Sequence, residues 1–246
     1  MLNLLKLIFR TGTATEALDK YDYFGSDYKK INIPKQNTAC EGCSICASGC
    51  PTGALYRTDT NELALDYLKC AFCARCMDLC PQRLLSKGVL DVPVVVHGEA
   101  IDYAEKVIKT FGRSLHVRHL DAGSCNACDF EMSALLSPVY DIQRFGVDFV
   151  ASPRHADIVM VTGMVTRNLL QAVQETYDSM AKPALVMAVG TCACSGNMFG
   201  EKNYAQIGAV DSVLPVDIYV PGCPPNPKMM SYALLYAQEL LAEKLK

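Results

Sequence analysis

Eight of the thirteen cysteines in this 246-residue chain fall in two blocks of identical spacing. The first runs from Cys40 through Cys43 and Cys46 to Cys50 and Pro51; the second runs from Cys70 through Cys73 and Cys76 to Cys80 and Pro81. Each reads C-x2-C-x2-C-x3-C-P, a run suited to 4Fe-4S clusters, with the fourth cysteine serving the other cluster. That crossing predicts one cluster on Cys40, Cys43, Cys46 and Cys80, and a second on Cys50, Cys70, Cys73 and Cys76. The tight loop supplies three corners of a cubane while its backbone N–H groups point at the sulfides. The fourth corner must come from elsewhere, which ties the two halves together. Zinc sites use isolated C-x2-C pairs, so the contiguous runs favour iron–sulfur over zinc. The expected chemistry is one-electron transfer.

Five further cysteines, Cys125, Cys128, Cys192, Cys194 and Cys223, lie in a second region. Buried structural cysteines behave as small hydrophobes, and two would be ordinary. Four beside glycine turns, in Gly-Ser-Cys125 (with Cys128 after it), Gly-Thr-Cys192 and Gly-Cys223-Pro-Pro, point instead to a metal centre. The elements around them explain how they converge. Strands are predicted over Leu115–Leu120, Val147–Ala151, Ile158–Thr162, Ala184–Val189 and Ile218–Val220. Helices are predicted over Glu131–Phe145, Asn168–Met180 and Lys228–Leu245, the first kinked or split by Pro138. Apolar runs broken by helices predict an α/β fold with a mostly parallel sheet covered on both faces. Cys125, Cys192 and Cys223 then leave the carboxyl ends of strands, where open α/β sheets bind ligands.

Half the residues are hydrophobic, ample for a core, and the net charge of -3 sets up no strong field toward nucleic acid. A secreted disulfide framework needs an export signal, and the N-terminal apolar run is too short for a transmembrane helix and lacks a small-residue cleavage site. A cytoplasmic setting with reduced thiols is the expectation. Residues 1–10 place Leu2, Leu5 and Phe9 on one helical face beside Leu4 and Ile8. That face suits either a membrane surface or the protein's own core. The division expected is an N-terminal docking segment over 1–30, a two-cluster domain over 31–90, a linker over 91–113 with a helix from Gly98 to Arg113, and an α/β domain over 114–246.

The second region resembles the small subunit of membrane-bound, complex-I-related nickel–iron hydrogenases of the formate hydrogenlyase and energy-converting type, and the homologous B-type subunit of complex I. The likeness rests on five stretches: Asp121 to Glu131, Ala151 to Ile158, Val161 to Arg167, Gly190 to Ala193, and Val216 to Pro225. The resemblance implies a flavodoxin-like domain and one proximal 4Fe-4S cluster on Cys125, Cys128, Cys192 and Cys223. Cys194 stands where relatives often carry a non-ligand. Ala127 and Asn197 stand where glycine is common, and neither change removes a ligand. The N-terminal segment resembles the polyferredoxin subunit of such hydrogenases, through Thr11 to Thr15 and both cysteine blocks. The chain thus looks like a fusion of a bacterial-type two-cluster ferredoxin domain with a hydrogenase small subunit.

What this implies is an electron-transfer subunit with three 4Fe-4S clusters, on the cytoplasmic side of the membrane as a peripheral protein. Its partners would be a nickel–iron large subunit, membrane subunits of the antiporter-like kind and of the H type found in complex I, and a ferredoxin or formate dehydrogenase as electron source. The chain lacks the further C-x2-C pairs of a bimetal site, so the active site belongs to a partner. A complex I-like quinone or membrane-carrier reductase is the alternative within redox chemistry. A free-standing carrier and a zinc-stapled interaction module are the alternatives outside it. His155, in the loop from Ser152 to Asp157, resembles the hydrogenase form of that loop. It fits a proton route, since imidazole titrates near neutrality, or an interface histidine. Arg154 is expected to anchor an interface. Asp157 is expected to cap the following strand or pair with an arginine. Glu131 reads either as a proton-carrying or partner-facing carboxylate, or as a first-turn acid favoured by a helix dipole.

Overall fold

The computed structural model describes residues 6, 29–32, 40, 42–89, 95–96, 99–100, 114–196 and 203–245. In chain order these form β1 (Lys29–Asn32), α1 (Ile45–Ser48), β2 (Leu55–Arg57), β3 (Leu63–Leu65), α2 (Arg75–Leu79), β4 (Ser86–Val89), β5 (Val95–Val96) and β6 (Glu99–Ala100). Then follow β7 (Leu115–Asp121), α3 (Ala127–Ala134), β8 (Val147–Phe149), β9 (Ile158–Thr162), β10 (Val165–Thr166), α4 (Leu170–Asp178), β11 (Leu185–Val189), α5 (Thr191–Ser195), β12 (Gln206–Gly208), β13 (Ile218–Val220) and α6 (Pro227–Lys244).

The main sheet has the order β6-β5-β13-β11-β9-β7-β8. Its five strands from β7 onward are parallel, and the β5–β6 hairpin adds an antiparallel edge beside β13. Numbered among themselves, the parallel strands run 2-1-3-4-5, the flavodoxin-like order. Strands β9 and β11 are buried at every position, as strands covered on both faces must be. Ile158, Met160, Leu185 and Met187 enter one core with Met132, Leu135, Met230 and Leu234. Val159, Val161, Val186 and Ala188 enter the opposite core with Val173, Ala193 and Val210. The two-residue alternation of a strand therefore feeds two layers at once. Each fully buried aliphatic contributes about 1.5–3 kcal/mol relative to exposure.

Helix α3 ends at Ala134, four residues before Pro138, where the proline ring would strike the Ala134 carbonyl. A 3-10 turn resumes at Ile142–Phe145, so the predicted split occurs, and the helix starts four residues earlier than its apolar spacing suggested. Helix α6 begins with Pro227 behind an Asn226 cap, whose Oδ1 accepts the Met229 N–H at 2.8 Å.

The linking helix from Gly98 is corrected at its start: Glu99–Ala100 is a strand, paired with Val95–Val96 against the sheet edge. A sheet partner, which local helical spacing does not reveal, decides that segment. The rest of that segment, residues 101–113, lies outside the described residues, as does the N-terminal amphipathic stretch apart from Lys6, which is helical. Among the described residues no helix is long and apolar enough to cross a membrane.

The N-terminal layer is built differently. Its small core consists of Cys46, Ala54, Leu55, Cys70, Cys76 and Leu85, half of it thiols. Hairpin β2–β3 packs Leu55, Leu63 and Leu65 on it, and β1 pairs antiparallel with β4. So small an apolar core supplies little stability of its own, and such domains depend on bound metal.

Candidate metal centres and the contact between them

The second block turns through left-handed backbone at Phe72 and Ala74, and the first does so at Gly42, the position equivalent to Phe72. Residues in that conformation point successive N–H groups inward. A Phe tolerates it because its ring packs against both the N-terminal core and the core of the α/β domain. Cys50, Cys70, Cys73 and Cys76 line one cavity, closed by Ala54 and Leu55. Cys50 of the first block thus stands at this cavity with three thiols of the second. Cys46 has Cys40 and Cys80 as electrostatic neighbours, the same exchange in the other direction.

Burial, reinforced by the neighbouring thiols, pushes Cys70 up to about 12 and Cys76 up to about 11. The fourth cysteines behave oppositely. Burial raises Cys50, but the backbone N–H groups of Leu55, Thr52 and Ala54 outweigh it and lower the thiol. Around Cys80 burial is likewise outweighed by the N–H groups of Leu84, Leu85, Gln82 and Arg83, with Leu84 at 3.4 Å from Sγ. The C-P turn after each run folds the chain back so that its amides meet the sulfur. Hydrogen bonds to sulfur are among the levers that set cluster potentials.

Arg57, on β2, clamps the first block. Its guanidinium donates to the Cys43 carbonyl at 3.0 Å through Nε, and to the Cys40 and Cys43 carbonyls through Nη2, with Cys40 Sγ at 3.6 Å. Nothing in the spacing of the cysteines marks Arg57; only the hairpin brings it there.

In the α/β domain Cys125 follows β7, Cys192 follows β11 and Cys223 follows β13, all at the carboxyl ends of the parallel strands. Burial raises Cys128 to about 12, with Cys192, Cys223, Asp129 and Cys125 adding to it; Cys192 is raised to about 11 by burial and then by Cys223 and Cys125. The four thiols are therefore mutual neighbours. A Cβ on Gly190, whose φ is +90°, would lie 2.6 Å from Cys128 Sγ, so only glycine leaves room for that sulfur. Gly163 does the same for the Cys125 loop, whose Ser124 N would lie 2.3 Å from an added Cβ. The donor set and this cradle fit an iron–sulfur cluster better than a buried thiol core. Among the described residues no three His, Cys, Asp or Glu side chains meet closely enough for a single metal ion.

Behind the Cys125–Cys128 turn lies a polar network. Asp129 accepts from Ser124 Oγ at 2.6 Å and from Thr162 Oγ1 at 2.8 Å, and His119 Nε2 lies 2.8 Å from Asp129 Oδ1. Burial lowers the His119 pKa despite Asp129 and Asp121, which favours a neutral ring donating from Nε2. Asp129, rather than Glu131, is the first-turn acid of α3. Glu131 sits in the middle of that helix, half-buried, so the helix-dipole reading of it is corrected.

Cys194 lies beside Cys128 and Cys192 but is turned away from their face. It points into the second core, donates to the Ala188 carbonyl at 3.5 Å, and is held well above its ordinary pKa by burial. Arg154 and His155 are exposed on a 3-10 turn that precedes β9. That is the amino end of the parallel sheet, so the structure does not bring them to the cysteine face. Four residue steps along β9 amount to about 13 Å. Asp157 pairs with His116, accepting its backbone N–H at 2.9 Å with Nδ1 at 3.3 Å.

The two cysteine regions touch. Tyr67 and Phe72 pack on one core of the α/β domain and Leu68 on the other. Thr191 Oγ1 donates to the Cys70 carbonyl at 3.0 Å. Cys223 has Cys73 among its electrostatic neighbours. The second block therefore faces the Cys125–Cys223 site.

Both cysteine regions have counterparts among known proteins. Residues 125–237 match the family described as NADH ubiquinone oxidoreductase, 20 Kd subunit, and residues 39–84 match the 4Fe-4S dicluster domain. The chain is 44% identical over 141 residues to a probable membrane-bound hydrogenase subunit mbhJ of Pyrococcus furiosus, covering 57% of this chain and 84% of that one. It is 38% identical over 156 residues to formate hydrogenlyase subunit 7 of Escherichia coli, covering 63% of this chain and 61% of the relative. It is 47% identical over 117 residues to the B subunit of an NADH-quinone oxidoreductase of Mycolicibacterium paratuberculosis, covering 47% and 62%. This chain spans about three fifths of the length of the latter two. With its parallel sheet, its cysteines at the carboxyl ends and its dicluster segment, the chain belongs to the NADH ubiquinone oxidoreductase 20 kDa subunit family and is a 4Fe-4S oxidoreductase subunit.

Proposed function

We propose that this chain is the electron-transfer small subunit of a membrane-associated nickel–iron hydrogenase complex, working toward proton reduction or hydrogen oxidation at an active site on a partner large subunit. The observation that carries the proposal is the direct contact between the second cysteine block and the Cys125–Cys223 site, made by Thr191 and Cys70. An isolated carrier has no need to hold its ferredoxin-type sites against a third one.

In this reading Cys40, Cys43, Cys46 and Cys80 hold one 4Fe-4S cluster, Cys50, Cys70, Cys73 and Cys76 a second, and Cys125, Cys128, Cys192 and Cys223 the proximal one. Bound clusters supply one-electron redox chemistry at the three places. The protein fixes the thiols, donates amides to sulfur, and excludes water from Cys70 and Cys76 by burial. Cys125 and Cys223 are exposed, and Phe130, 77% exposed, with Leu136 leaves apolar surface on and after the adjoining helix. That surface suits the large subunit. Membrane subunits of the antiporter-like type, peripheral attachment on the cytoplasmic side, and a ferredoxin or formate dehydrogenase as electron source belong to the same proposal; the names of the first two relatives, a membrane-bound hydrogenase subunit and a formate hydrogenlyase subunit, support its membrane-bound hydrogenase part.

A second reading, a cluster-bearing subunit of a complex I-like quinone or other carrier reductase without nickel, is favoured by the 47% identity to the B subunit of an NADH-quinone oxidoreductase. Purifying the intact complex through a tag on this chain decides between them. The hydrogenase proposal expects iron–sulfur EPR signals from this subunit together with nickel and hydrogen-dependent dye reduction in the complex. Iron–sulfur signals without nickel overturn it in favour of the second reading, and zinc in place of iron overturns both.

A further inference from the structure

Thr191 holds a place that the cysteine motifs do not explain. It is 1% exposed and lies between Gly190 and Cys192, at the start of α5. Its N–H donates to the Gly222 carbonyl at 2.8 Å, and its Oγ1 accepts the Gly222 N–H at 3.2 Å. The same hydroxyl donates its proton to the Cys70 carbonyl at 3.0 Å, across 121 residues of sequence. A hydroxyl has one proton to give, and here it goes to the other domain. Thr191 therefore adjoins three thiol-bearing segments at once: Cys192 follows it, Cys223 follows its partner Gly222, and Cys70 is its acceptor.

We infer that Thr191 is a positioning residue, whose hydroxyl locks the second cysteine block onto the α/β domain and so sets the gap between the Cys73 and Cys223 thiols. The inference rests on the electron-transfer reading. One-electron exchange between two sites falls steeply with their separation, so a fixed gap matters more than a merely stable contact. The apolar packing of Tyr67, Leu68 and Phe72 brings the surfaces together but is non-directional, and packing alone tolerates sliding. The Thr191 hydrogen bonds are directional and buried. Without the hydroxyl, the Cys70 carbonyl and the Gly222 N–H lose it as a partner in a contact from which water is excluded, and the contact must shift to satisfy them. Valine preserves the shape of the side chain and removes only the hydroxyl function. Serine keeps the hydroxyl.

The test compares Thr191→Val and Thr191→Ser with the unaltered protein in the purified complex. Iron content and EPR report cluster loading, the magnetic interaction between the second-block and proximal signals reports their separation, and amide hydrogen exchange over residues 67–73 reports the contact independently of metal chemistry. The inference expects the Val variant to keep its iron, to lose or shrink the magnetic interaction, and to exchange those amides about tenfold faster. It expects the Ser variant to restore both. A Val variant matching the unaltered protein in exchange and magnetic interaction overturns it. If the Val variant loses iron, the Ser variant decides: restoration supports the hydroxyl's role, and equal loss overturns it. Absence of iron–sulfur signals from the unaltered protein sinks the electron-transfer reading itself, which the exchange data alone do not do.

Discussion

Replacing Gly190 with alanine puts the proximal site to its sharpest test. The residue sits at φ 90° and ψ 152°, a region essentially reserved for glycine. Holding an alanine there costs about 1–3 kcal/mol. The added Cβ would lie 2.6 Å from Cys128 Sγ, and overpacking of this kind costs about another 1–3 kcal/mol. The combined cost of about 2–6 kcal/mol is large beside the ~5–15 kcal/mol that stabilises a typical domain. Cys128 can relieve the clash by rotating its sulfur, but rotation takes that sulfur away from Cys125, Cys192 and Cys223. Gly190→Ala is thus expected to lower the urea midpoint and to cost the proximal cluster, about a third of the iron if three equal clusters are bound. The N-terminal signals should persist. Urea unfolding followed by circular dichroism, with iron analysis and EPR on the same preparations, reads both effects. A variant with an unchanged midpoint and full iron would refute the reasoning, because the geometry leaves no third way to place the methyl group.

Cys80→Ser should abolish the EPR signal of the cluster assigned to the first block and leave the second, while Cys50→Ser should do the reverse; loss confined to the mutated residue's own block would disprove the crossed ligation. Arg57→Gln removes a charged donor from the Cys40 and Cys43 carbonyls and should destabilise the N-terminal layer by about 1.5–3 kcal/mol. It should also lower the potential of the first-block cluster in a redox titration, with Arg57→Lys only partly restoring both, since lysine lacks the planar fork. His119→Gln should flatten the acid side of the stability profile. Burial depresses the folded pKa of His119, so its contribution is present above the ordinary value of 6.5 and is lost as pH falls through the depressed one. Urea midpoints measured between about pH 5 and 7.5 check this, and an unchanged slope in the variant counts against it.

The cysteine runs were legible because cluster ligation demands particular spacings within a contiguous segment, and the C-x2-C-x2-C-x3-C-P pattern has few other uses. The parallel sheet was legible for a similar reason. Strands buried on both faces, such as Ile158–Thr162 and Leu185–Val189, read as continuous apolar runs. Where local pattern met a non-local partner it failed. Glu99–Ala100 reads as the start of a helix and is a strand, because the partner that decides it, Val95–Val96 beside β13, is invisible to helical spacing. Of the two readings of Glu131, the first-turn acid fails, because the turn after Cys125 starts the helix earlier and gives that place to Asp129. Of the two readings of His155, proton route or interface, strand direction separates it, with Arg154, from the cysteine face by the length of β9.

By itself the sequence determined which thiols are candidates for metal and which segments form the parallel strands, since the cysteine spacings and the apolar runs are local to the chain. The tertiary structure alone decided which thiols face one another and what joins the two regions. Arg57 on Cys40 and Cys43, Gly190 beneath Cys128, and Thr191 on Cys70 are contacts between residues far apart in sequence, fixed only when the sheet and the hairpin have closed around them. No local spacing rule encodes such contacts, because the free energy that selects them belongs to the packing of the whole fold.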